Sequence, residues 1–195
     1  MTHEDPFSHA RFSFLCGHYV ECLTEYAARV DDLLNELAAS HGEGDYGMFT
    51  VFIPDHHWSA TIIHAYAAFE QKLNEACDIA RSSLTLNLRY KEFAGQGVSR
   101  AKLFLESYAQ VSLGVSTEQW RHVQALNKLR NVLVHGGFSK EHSDFKFLSS
   151  YAAETQSFRV SEAVLSLNSE SVRFTLQKLG DPLRCIGDSI LRLKK

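Results

Sequence analysis

Arg130, Asn131 and His135 are side chains suited to chemistry on a phosphate. A guanidinium keeps its positive charge and offers a planar fork of donors that fits phosphate oxygens. An imidazole exchanges protons near neutral pH, so it can serve as general acid or base. An amide can donate to a phosphate oxygen or orient a neighbouring ring. On a helix, a spacing of five separates Arg130 from His135 by roughly 140° around the axis and about 7.5 Å along it. The two are therefore not the i, i+4 pair that would hold a zinc ion. Asn131 lies on the same side as His135, four residues earlier. The trio also has an ordinary use. Arg and His near a helix C-terminus stabilise its free carbonyls by a few tenths of a kcal/mol to ~1 kcal/mol, and an Asn in the last turn can cap it.

The element that must position them runs from Thr117 to Gly137. Ser116 or Thr117 is a suitable N-cap, because a hydroxyl there accepts from a free backbone N–H. Glu118 and Gln119 fall in the first turn, where the helix dipole favours a carboxylate. Trp120, Val123, Leu126, Leu129 and Leu133 recur at spacings of three and four, which predicts one buried stripe. Gly136 and Gly137 supply the stop, since glycine takes the left-handed C-terminal turn without steric penalty.

Leu129–Gly137, Leu-Arg-Asn-Val-Leu-Val-His-Gly-Gly, behind a Trp-led amphipathic helix, resembles the HEPN superfamily of helical nucleotide- and RNA-associated domains. The hallmark of that family is an Arg followed four to six residues later by His, with a polar residue directly after the Arg. Arg130, Asn131 and His135 match all three places. Ala65–Asn74, an apolar helical segment carrying Glu70, and Arg100–Glu106, a short helix before a loop, also look like the family. The resemblance spans roughly 56–193, and only the Arg–Asn–His motif is specific. It implies a homodimer with a shared site, in which Arg130 and His135 are catalytic and Asn131 is supporting. Members of the family that bind without cutting are also known.

Glu70 borders the apolar face of its own helix. It is either a surface carboxylate or a partly buried one that holds Arg130, since a carboxylate and a guanidinium can pair through two hydrogen bonds. His64, on the same helix, reads as a core-edge residue.

Composition bounds the rest. The chain has 195 residues, 45% of them hydrophobic, which suits a single domain over 1–195. A chain of this size buries roughly 70% of its unfolded surface, so it needs no external staple. A net charge of −3 and a pI near 6.4 do not suit a protein that holds long nucleic acid by bulk charge. RNA contact would come from a local cleft; Lys128 and Lys140 either add to it or are ordinary solubilising residues. Cys16, Cys22, Cys77 and Cys185 contain no CxxC pair and read as reduced thiols of a cytoplasmic protein. No apolar run approaches a membrane span. Neither a phosphate-binding Gly-rich loop nor a structural zinc spacing occurs, so no cofactor and no metal are expected.

In chain order, residues 1–8 read as a polar lead-in, and His9 to Ser40 as an added N-terminal helix. His41–Gly47 breaks it with three glycines. Met48–Ile53 reads as a short strand or a buried linker. A helix follows from His56 to Ser82, with Asp55 as its cap. Residues 83–98 are irregular, and the aromatic and basic Arg89, Tyr90, Lys91 and Phe93 are suited either to stacking bases or to covering the core. Ser99 caps a short helix to Tyr108. Residues 140–156 read as a loop with ordered pieces. Phe158–Leu167 partly alternates and predicts a strand or a small hairpin. Asn168 or Ser169 caps a last helix to Leu193, which Pro182 kinks or breaks.

The fold expected is all-α: an antiparallel bundle of about five helices with a small β insertion before the last. The function expected is a metal-independent endoribonuclease acting as a homodimer on RNA, as a toxin or defence effector that would have a neutralising antitoxin protein. The alternatives are a non-catalytic nucleotide- or RNA-binding domain and a helical protein-interaction module.

Overall fold

Apolar residues spaced by three and four make most of this chain helical. The computed structural model describes residues 6–40, 47–135, 141, 143–160 and 165–193, and holds six α-helices among them. These are α1 (Pro6–Ser40), α2 (Ile53–Ser83), α3 (Gly97–Leu103), α4 (Thr117–His135), α5 (Phe145–Thr155) and α6 (Ser169–Leu191). Two short strands, β1 (Arg159–Val160) and β2 (Leu165–Ser166), pair antiparallel between α5 and α6, with Arg159 opposite Ser166. The protein is thus all-α with a small β insertion before the last helix.

Several boundaries differ from the sequence reading. Met48–Phe52 is neither strand nor buried linker. It is a π-helical turn that runs directly into α2, and Met48, Val51 and Phe52 are exposed. Its β-branched and aromatic residues favour a strand only if a partner strand and a covering surface exist, and the turn pairs with no strand among the described residues. Residues 145–155 form a helix, not a loop, with Leu148, Tyr151 and Ala152 buried. Ser99 lies inside α3, whose N-cap position is Gln96. The short helix continues as a π-helical turn over Phe104–Tyr108. α6 runs through Pro182 without a break. Pro6–Ser8 already belong to α1. The expected stop at Gly136 and Gly137, the break at 41–46, Lys140 and the hairpin turn at 161–164 lie outside the described residues.

The chain clusters into two compact units, each assembled from distant segments. The first takes residues 1–21, 67–120 and 179–195. Its core holds Phe12, Cys16 and Val20 of α1, Phe69, Leu73 and Cys77 of α2, Phe104 and Leu105, and Leu183, Ile186 and Ile190 of α6. Burying each large apolar side chain contributes about 1.5–3 kcal/mol. Gly187 lets α6 approach α1 closely: a Cβ there would stand 3.1 Å from Ser13 Cα and 3.2 Å from Cys16 Cβ. His9 Nε2 and Ser83 Oγ, 2.8 Å apart, pin α1 to the end of α2. Phe93 packs its ring on Phe104 and Tyr108, with centroids 5.4 and 5.2 Å away. That ring therefore covers the core instead of waiting for a base. Burial pushes the thiols of Cys16 and Cys77 up to about 12, and all four cysteines are free.

The second unit takes residues 22–66 and 121–178. Its core draws Ala27 and Leu34 from α1, Trp58 and Ile62 from α2, Val123, Leu126 and Leu129 from α4, Leu148 and Tyr151 from α5, and Val172 and Leu176 from α6. No helix among the described residues is long and apolar enough to cross a membrane.

Candidate functional site

α4 starts where the sequence sets its cap. Ser116 Oγ accepts from the Gln119 backbone N–H at 3.2 Å, and Gln119 Oε1 accepts from the Ser116 backbone N–H at 2.7 Å. This reciprocal box satisfies two otherwise free donors and settles the choice between Ser116 and Thr117. Trp120 is buried in the first unit, and Lys102 Nζ lies 4.5 Å from the centre of its ring.

Beyond Trp120 the helix enters the second unit. Val123, Leu126 and Leu129 are buried as the stripe requires, but Leu133 is only half-buried and Val132 is buried in its place. The inward face therefore swings by one residue in the last turn, next to the motif.

The structure brings Arg130 and Asn131 together. Arg130 Nη1 donates to Asn131 Oδ1 at 2.8 Å, and both residues are half-buried. Side chains at i and i+1 normally diverge by 100° on a helix, so the long arginine must fold back to reach its neighbour. Arg130 Nε is buried with no hydrogen-bond partner. Among the described residues of its own unit, no carboxylate pairs with Arg130. Its contact is a neutral amide, which orients the guanidinium and leaves its charge uncompensated locally.

His135 is the last residue of α4 and is exposed. Glu70 lies on α2 in the first unit, and its carboxylate sits against Gly97: a Cβ there would be 2.9 Å from Glu70 Oε1. Gly97 has φ +52°, a left-handed conformation suited to glycine. Lys128, read either as a cleft cation or as a solubilising residue, is held by the Asp144 carboxylate and lies 5.3 Å from the centre of the Phe147 ring. Arg130 is therefore the cation of this end of α4 that no described carboxylate of its unit neutralises. Among the described residues no group of three or more His, Cys, Asp or Glu side chains is placed to hold a metal ion.

One polar group in the same helix escaped the sequence reading. His122 is buried, with Nδ1 against the Tyr151 hydroxyl and Nε2 3.2 Å from the Thr175 backbone oxygen. A carbonyl only accepts, so Nε2 carries the proton and Nδ1 accepts from the tyrosine. The ring ties α4 to α5 and α6. Burial lowers its pKa from 6.5 to about 4, against the raising effect of the Thr175 bond, so it stays neutral. The signal was present: His122 stands four before Leu126 and seven before Leu129, on the buried stripe.

The class these observations define is an all-α protein with an arginine–amide pair and an exposed histidine at one helix end. No family model matches the chain, and no curated protein and no solved structure matches it.

Proposed function

We propose that this protein is a metal-independent endoribonuclease of the HEPN kind, active as a homodimer, with Arg130 and His135 as catalytic residues and Asn131 and Glu70 supporting them. The observation that carries this reading is the Arg130–Asn131 contact. A guanidinium held by a neutral amide keeps its charge for a phosphate, whereas one held by a carboxylate would not. Kinship to HEPN domains rests on the Arg–Asn–His residues themselves.

In the reaction, the ribose 2′-oxygen attacks the adjacent phosphorus and the bond to the 5′-oxygen breaks. A base takes the 2′-proton, and an acid returns one to the departing 5′-oxygen. The products are a 2′,3′-cyclic phosphate and a 5′-hydroxyl, and the proton count balances. One His135 takes one of these roles, and the His135 of a two-fold mate takes the other. Arg130 stabilises the added negative charge on the phosphorane-like transition state. Asn131 orients Arg130. Such an activity suits a toxin or defence effector restrained by a cognate antitoxin protein.

The test is cleavage of a labelled RNA with EDTA present. Wild type should produce 2′,3′-cyclic phosphate ends, and His135→Ala should fold normally and lose about 10²–10⁴ in rate. Equal rates for wild type and His135→Ala would remove the assignment. Binding that weakens in Arg130→Ala with no products at any stage would indicate the non-catalytic RNA- or nucleotide-binding alternative.

A further inference from the structure

The second unit carries an apolar groove of about 610 Å³, to which Leu34 of α1, Val51 and Phe52 of the π-helical turn, and Trp58 of α2 contribute. Val51 is 66% exposed, Phe52 59% and the neighbouring Met48 54%. Three large apolar side chains presented to solvent within five residues mark an interaction surface, and π-helical turns recur at functional sites. Arg130 and His135 do not line this groove.

The charge around it has one sign. Asp31 and Asp55 line the groove, and Asp32 and Glu36 are exposed on the same stretch of α1. Between Arg29 and Lys72 the sequence has seven Asp or Glu and no Lys or Arg. The remaining chain carries all 20 basic residues and 16 acidic ones. An anionic membrane or an RNA would be repelled here. A second copy carries the same net charge of −3, so it brings no excess of base to this acidic rim.

We propose that this groove docks a basic amphipathic segment of a partner protein, with apolar anchors against Val51 and Phe52 and flanking Lys or Arg toward Asp31 and Asp55. Apolar anchors supply the affinity of a helix laid in a groove, and the acidic rim supplies selection and approach rate. This surface stands independently of the RNA-cleavage reading.

The probe is a fluorescein-labelled model helix of Leu and Lys, about 18 residues or roughly 27 Å long, with a Leu/Glu peptide of the same pattern as control. Anisotropy is read on the full chain at low salt and at about 0.3 M salt, where charge interactions are screened. The Leu/Lys peptide should bind at least about tenfold tighter than the control. Val51→Ser/Phe52→Ser should weaken it by about tenfold or more, with circular dichroism unchanged because both side chains are exposed. Asp31→Asn/Asp55→Asn should weaken it about threefold to tenfold and remove most of the salt dependence. No binding, binding unchanged in both variants, or equal binding of the two peptides would overturn the proposal. So would a dimer in sedimentation velocity, or adsorption to phosphatidylcholine vesicles, that the Val51→Ser/Phe52→Ser variant loses.

Discussion

The Arg130 guanidinium donates to the Asn131 side-chain oxygen at 2.8 Å, so the site arginine is oriented by its own sequence neighbour through a neutral group. Replacing that group changes either orientation or charge. On the proposed endoribonuclease reading, Asn131→Ala removes the orienting oxygen and should slow cleavage about tenfold, since a misplaced charge stabilises the transition state less well. Asn131→Asp keeps an acceptor but adds a negative charge beside the guanidinium and the phosphate. It should cost about 10² or more in rate while leaving the melting temperature near wild type. Single-turnover rates with thermal melts of both variants check this. A faster Asn131→Asp enzyme would contradict it.

His122 sets an acid limit on stability. Its folded pKa lies near 4, below the 6.5 of an exposed histidine. Below about pH 6.5 the unfolded chain takes up a proton that the native state refuses. Stability from this group is therefore fully present above that pH and falls as pH drops toward 4, by at most about 3 kcal/mol. Melting curves between pH 7 and 4 should show the loss. In a His122→Gln variant, lower in stability at pH 7, the curve should be flatter over this window.

The cap of α4 separates two neighbouring hydroxyls. Ser116→Ala removes the acceptor used by the Gln119 N–H and should cost about 1 kcal/mol, or roughly 2–4 °C in melting temperature. Thr117 makes no capping bond with its side chain among the described residues, so Thr117→Ala should stay within about 0.5 kcal/mol. Parallel denaturant titrations decide the order, and a larger loss at Thr117 would reverse it.

Two glycines in the first unit should respond with opposite signs. Alanine is the better helix former by about 1 kcal/mol. A Cβ added at Gly17 would meet no heavy atom within 4 Å, so Gly17→Ala should stabilise by up to about that amount. At Gly187 the new methyl meets Ser13 Cα at 3.1 Å, a backbone atom that cannot swing away. The strain should outweigh the propensity gain and leave Gly187→Ala about 1–2 kcal/mol less stable. Melts of the two single variants test this pair.

Periodicity made the long helices legible. The stripe through Trp120, Val123, Leu126 and Leu129 placed α4, and the hydroxyl before it placed the cap within one residue. Non-local packing decided what was missed. Met48–Phe52 has strand-like residues, yet no described strand pairs with it, and the backbone continues as helix. α5 has Phe145, Leu148 and Ala152 at helical spacing, but it spans 11 residues with no side-chain N-cap bond, too faint a signal in one sequence. The candidate site was legible as a list of residues. The pairing of Arg130 with Asn131 was not, because neighbours in sequence are expected to diverge on a helix. The loss of Lys128 to Asp144 depended on where α5 begins.

The Gly187 contact also sets a timetable for synthesis. Ser13 and Cys16 leave the ribosome about 170 residues before the glycine they pack against. At roughly 5–20 residues per second, the apolar face of α1 waits about 10–30 s for its partner. Throughout that interval the nascent chain lacks the α6 surface that packs on Val20 at Gly180. Production yield should therefore depend on chaperones that bind short apolar segments during translation, more than on the stability of the finished molecule.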